Sequence, residues 1–437
     1  MTLKTISSPW AAKVPAPRAF KTSAVSIASR NKSAMKSIAL TILATALFVS
    51  SSEAQLAIHG ETVHTMEGPA ITNGVVLIID DKITQVGAAD DVEIPEGYQE
   101  RRVAVVTPGI IDAHATVGLS GILNYDHDQE QLEKSEPIQP ELRAIDAYNP
   151  RDPLVTWVRD FGVTTVNTGH APGAVISGQA MIIKTDRQNV SDGAIEPFSM
   201  VMATLGSDSL ASGQSVPGTR AKAVAILRTE LIKAQGYLKK LDSKDPDKAP
   251  DRDLRLEALV SVLRKEKPLL INAHRHQDIQ AALRLAEEFK FRLILDGASE
   301  AYLLLGPIKE AGIPVIIHPT MVRAQGDQEN ATFENAKRLH EHGIKIALQS
   351  GFERYVPKTR VVLFEAGMAA AYGLPQDVAL ASITKNAAEI LGIDDRVGSL
   401  APGKDADLAL YDGDPFEYTT HCVGVIIDGN VLPVSKR

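Results

Sequence analysis

The sequence predicts an α/β protein: a (β/α)8 barrel of the TIM type plus a small β-sandwich domain built from both chain ends. Three observations carry this. Short β segments with turn punctuation stand near both termini. Strands alternate with amphipathic helices through the middle, as βα units do. The apolar run Val106-Thr-Pro-Gly-Ile-Ile closes on Asp112 and His114, and strand ends are where an α/β barrel opens its active-site mouth.

The expected organisation is a leader at 1–54, a composite β domain from 55–106 and 400–437, and a barrel at 107–399. A chain of 437 residues is long enough for one barrel with a smaller companion. In the β domain, Leu56–His59, Gly74–Ile79, Ile83–Val86 and Arg102–Val106 read as strands, joined later by Asp407–Tyr411 and Val423–Ile427. Asp428-Gly429 is a hairpin turn before Asn430–Leu432. Barrel strands are expected at Gly109–Ala113, Val163–Thr168, Ala180–Lys184, Leu269–Ala273, Arg292–Leu295, Pro314–Ile317 and Lys345–Gln349, with the eighth within Met200–Leu205. Arg220–Leu241 places Val224, Leu227, Leu231, Ala234 and Leu238 at helical spacing. Ile279–Phe289 and Phe333–His342 are further helices, and Ser243–Asp253 is a solvated loop.

Residues 1–54 hold seven bases and one acid, Glu53, against a net charge of −8 for the whole chain, so the remainder carries −14. An acidic body argues against nucleic acid or an anionic membrane as partner. Lys36, the apolar Ile38–Val49 and Ser52-Glu53-Ala54 have the order of a secretion signal, with the start at Met1 or at Met35. The apolar stretch is too short to span a bilayer. Cleavage before Gln55 and a periplasmic or secreted address are the expectation, with no membrane span afterwards. Cys422 is the only cysteine, which excludes an intrachain disulfide. Dinucleotide fingerprints, a P-loop and a Gly-x-Ser-x-Gly elbow are absent from the sequence.

Pro108-Gly-Ile-Ile-Asp-Ala-His-Ala-Thr116 resembles the first barrel strand of the amidohydrolase superfamily, whose signature is Pro-Gly-(apolar)2-Asp-x-His-x-His. Phe161–Val166 resembles its second strand, Gly398-Ser-Leu-Ala-Pro-Gly-Lys-Asp-Ala-Asp-Leu408 its returning tail, and Val425-Ile-Ile-Asp-Gly429 its last hairpin. Ile176–Ala180, His274–Ile279 and Glu300-Ala-Tyr302 are similar to the imidazolonepropionase-related branch.

The resemblance implies a divalent metal, zinc or another, held by two His of strand one and one His each from strands five and six. A strand-eight Asp acts as base, often with a Lys or Glu from strand three or four. Such a site lowers the pKa of bound water to about 7. This chain departs from the pattern. Thr116 replaces the second His. Strand five offers His274 or Asn272, depending on register. On strand six the His position falls on Asp296 or Gly297, with Gly297 preferred, and the base position falls on Gly351. The candidate metal ligands are therefore His114 and His274, with Lys184 as a weaker candidate. Arg275 and His276 are weak candidates for substrate contact. His318 ends another strand and His170 lies in a Gly/Pro loop.

Two functions follow. One is a metal-dependent hydrolase of C–N bonds in cyclic or small amides, with a depleted site. The other is an inactive relative that keeps the barrel, holds no metal, and binds a small molecule, self-associates or pairs with an active paralogue.

Overall fold

The computed structural model describes residues 55–210, 216–245, 247 and 249–435; the leader expected at 1–54 lies outside them. Two sheets organise the described residues.

The first sheet joins both chain ends. From the N-terminal side come β1 (Gln55–Val63), β2 (Ile71–Ile79), β3 (Lys82–Ala88) and β4 (Gln99–Pro108). From the C-terminal side come β13 (Leu408–Tyr411), β14 (Cys422–Ile427) and β15 (Asn430–Leu432). Their order is β15-β14-β13-β4-β1-β2-β3, so β4 and β13 knit the two ends together in antiparallel register, Leu408 opposite Pro108. One apolar cluster takes Ile58, Ile78, Ile83, Val106, Leu408 and Ile426 from six of these strands. Neither end buries such a face alone, since two or three strands need a partner surface to be stable.

The second sheet is the barrel: β5 (Ile110–Ala115), β6 (Val163–Thr168), β7 (Ile176–Lys184), β8 (Ala194–Thr204), β9 (Leu269–Ala273), β10 (Leu293–Gly297), β11 (Val315–Ile317) and β12 (Ile346–Leu348). They pair in chain order. A parallel bridge between Ala115 and Gly351, with the Gly351 N–H donating to the His114 carbonyl at 3.3 Å, closes β12 onto β5. The expected eighth strand is β8.

One strand departs from a uniform βα alternation. β7 runs antiparallel to both β6 and β8. Only residues 169–175 separate β6 from β7, and a parallel crossover needs about a dozen residues or more. The direction of β7 decides where Lys184 goes.

The helix Arg220–Leu241 starts on Thr219, whose side chain accepts the Lys222 N–H, and buries Ala223, Leu227, Leu231, Ala234 and Tyr237. That face is turned slightly from the expected one. Inside the barrel, Ile111, Leu270, Ile294, Ile316 and Ala347 form an apolar layer that floors the site. No helix among the described residues is long and apolar enough to cross a membrane.

Candidate active site

Side chains two residues apart on a strand share a face. Moving two residues beyond the apolar floor therefore gives the next inward layer: Asn272 on β9, Asp296 on β10, His318 after β11 and Gln349 after β12. By this parity Asp296 faces inward, and a side chain at Gly297 would also point at the lining residues His274 and Asn272, so strand six offers both positions. Gly297 sits at φ +74°, and a Cβ there would come 2.7 Å from His274 Cε1. On strand five both Asn272 and His274 face inward, with Asn272 level with Asp296.

Asp296 is the hub. Its carboxylate is fully buried. Oδ1 lies 3.0 Å from His114 Nδ1 and also accepts the Gln349 amide; Oδ2 accepts the Asn272 amide at 2.7 Å. Burial pushes the Asp296 pKa up, but the His114 charge and the hydrogen bonds from His114 and Asn272 outweigh it and leave it lowered. Burial likewise works against a charged His114; the Asp296 charge and hydrogen bond, helped by Asp112, reverse that and raise its pKa. Both shifts favour the ion-paired form of this buried contact. Beside it, burial lifts Asp112 to about 6, although the Ser350 N–H donates to it.

Two more imidazoles line the mouth. His274 Nδ1 is 2.8 Å from Ser299 Oγ, and His318 Nδ1 donates to the Gln349 carbonyl at 3.3 Å. Burial lowers both pKa values, and for His274 the neighbouring His318 adds to it. Gly351 lies at φ +67°, and a Cβ there would meet His318 Nε2 at 2.4 Å. The His318 ring thus covers the position where a carboxylate base would begin. These groups open into a cavity of about 900 Å³, lined also by residues 322–323, 325–328 and 352–355.

The remaining expectations fare differently. Thr116 Oγ1 is 2.8 Å from Ser120 Oγ. Lys184 is not at the mouth. Because β7 is reversed, Lys184 pairs with Thr165 near the start of β6, whereas Met181 pairs with Thr168 at its end. Its buried ammonium reaches Asp405 at 2.8 Å, Asp407 at 3.0 Å and also Asp428, locking the far end of the barrel to the β domain. Arg275 and His276 do not line the cavity. Arg275 binds Glu329 at 2.6 Å, and His276 opens the helix His276–Phe289 with its ring on Glu300 at 2.7 Å. His170 is buried outside the lining, and burial lowers its pKa to about 4. Sequence reading missed Gln349 and Arg323; the period-2 parity would have found Gln349.

The donors at the mouth do not converge as a zinc site does. A zinc site needs about three converging protein ligands. Here His114 Nδ1 and both Asp296 oxygens are engaged with each other and with amide donors, while His274 and His318 also use Nδ1 and leave Nε2 toward the cavity. Among the described residues, the only three His, Cys, Asp or Glu donors within 4.8 Å of one another are Asp81, Asp405 and Asp428. These lie at the opposite end, where Lys82, Lys184, Arg187 and Arg396 pair with them.

Comparison with known proteins agrees with the architecture. The amidohydrolase family profile matches residues 265–433. A solved amidohydrolase from Thermotoga maritima MSB8 superposes with a TM-score of 0.81 at 28% identity, over 87% of this chain and 100% of that one. This chain is similar to the amidohydrolase superfamily. Within the superfamily, "Amidohydrolase tasK" of Hapsidospora irregularis is 26% identical over 391 residues, which is 82% of this chain and 39% of the relative. The imidazolonepropionase of Mesorhizobium japonicum is 39% identical over 75 residues, 17% of this chain and 18% of the relative. The chain thus spans about two-fifths of the length of the first of these curated relatives and less than a fifth of the second.

Proposed function

We propose that this protein binds a small molecule in the barrel mouth and does not carry out metal-dependent hydrolysis. The observation behind this reading is Asp296, whose carboxylate is saturated by His114, Asn272 and Gln349 where the superfamily gathers a metal. The missing side chain at Gly351 removes the base that would take a proton from the attacking water. A shared fold is a weak warrant for shared activity. The test is metal analysis of tag-free protein after dialysis, together with an acid-release assay on cyclic and small amides with and without added zinc. Stoichiometric zinc lost in His114→Ala, with ordinary turnover, would overturn the reading.

The second reading is a zinc-dependent hydrolase of cyclic or small amides. It draws support from three imidazoles, His114, His274 and His318, lining one cavity and from the amidohydrolase relatives. His114 would serve it through Nε2 while Nδ1 keeps Asp296, the usual arrangement of a metal-bound imidazole; against it, no three of the cavity's donors lie within 4.8 Å of one another among the described residues.

An envelope location is proposed from the leader alone. N-terminal sequencing of the mature protein would begin at or near Gln55, and a cytosolic protein starting at Met1 would refute it.

A further inference from the structure

The charges around the mouth are unequal in what they leave free. Four carboxylates line the cavity, and each is engaged. Asp208 holds Arg354 at 3.3 Å, Asp296 holds His114, Glu353 holds Arg360, and Asp327 takes both Arg220 at 2.6 Å and the Ser207 N–H at 2.7 Å. Of the three lining arginines, Arg354 and Arg360 are in those pairs. Arg323 has no carboxylate or hydrogen-bond partner among the described residues, and it is exposed on the cavity wall.

A second cation makes the same point independently. Lys358, on the loop that carries Phe352 and Arg354, is only 4% exposed. Its ammonium lies 5.8 Å from the centre of the Phe352 ring, and no carboxylate pairs with it among the described residues. Phe352 itself lines the cavity. A buried ammonium without a counter-ion is costly, and a cation–π contact returns only about 0.5–2 kcal/mol. The mouth therefore holds one free guanidinium, and behind its Phe352 lies a buried lysine with no carboxylate partner among the described residues, in a body whose net charge is negative.

Resting on the reading of the barrel as a binding protein, we infer that the cavity takes a small organic acid whose carboxylate pairs with Arg323. A guanidinium offers a planar carboxylate two parallel N–H donors. Lys358, behind Phe352, biases the local potential toward the anion and acts as a positioning charge. Cationic ligands are disfavoured, because no lining carboxylate is free to receive them.

The experiment is isothermal titration of the full chain with a panel of N-acetyl amino acids and with their carboxamides, which differ only in the charge. At least one acid is expected to bind at least tenfold more tightly than its carboxamide. Arg323→Gln is expected to bring the acid down to the carboxamide's affinity, with the melting temperature unchanged. If no acid binds, if the carboxamide binds as tightly, or if Arg323→Gln keeps the preference, the inference is wrong. Mass spectrometry of the same samples separates the two claims. Release of acetate would sink the non-hydrolytic reading while leaving the carboxylate preference standing.

Discussion

His114 Nδ1 and Asp296 Oδ1 lie 3.0 Å apart, both side chains buried inside the barrel. The contact joins the end of β5 to the end of β10.

Breaking that pair should be costly. Asp296→Asn leaves His114 buried without its counter-charge, and loss of one partner of a buried pair costs about 3–5 kcal/mol. Urea denaturation of the two proteins gives the number. A difference below about 0.5 kcal/mol, the range of neutral surface changes, would show that the pair does not hold the barrel together.

The pair should also have a pH window. His114 has a folded pKa above 6.5, so its contribution is complete below 6.5 and fades as pH rises through the folded value. Asp296 has a folded pKa below 3.8, so its contribution is present above 3.8 and fades as pH falls through the folded value. The stability gap between wild type and Asp296→Asn should therefore be larger at pH 6 than at pH 9. A gap that widens with pH would contradict the charged pair.

Asp112 should behave oppositely. Burial raises it from 3.8 to about 6, so it favours the folded state below 3.8 and that advantage is lost as pH climbs through about 6. Asp112→Asn should stabilise the protein at pH 7 by up to ~3 kcal/mol, keep an acceptor for the Ser350 N–H, and give little gain at pH 4. Chemical denaturation at both pH values checks this.

Restoring the base should fail. Gly351→Asp puts a side chain at φ +67° and a Cβ 2.4 Å from His318 Nε2. A loss of ~2 kcal/mol is expected, with no zinc-dependent acid release from small amides. Restored turnover from this single change would show that the other substituted positions do not matter.

Lys184→Met should destabilise strongly, by about 3–5 kcal/mol, because Asp405, Asp407 and Asp428 lose their shared cation. Metal content should not change, since Lys184 is at the other end of the barrel. Zinc that disappears with this residue would reinstate it as a ligand.

The sequence by itself determined the strands, the barrel and the meeting of the two chain ends. Apolar alternation and turn residues are local signals, and β4 and β13 were both legible as strands in need of partners. It also marked Thr116 and Gly351 as departures from the motif that the chain resembles. Only the tertiary structure decided which residues meet. Strand direction is set by connection length and sheet closure, and the short link before β7 carried Lys184 away from the mouth. That Asp296 faces the cavity followed from parity against an apolar floor drawn from five strands. The free charge of Arg323 became visible only once every carboxylate around it had found its partner. Pairings between residues hundreds of positions apart follow from how the whole barrel closes, and no local pattern encodes them.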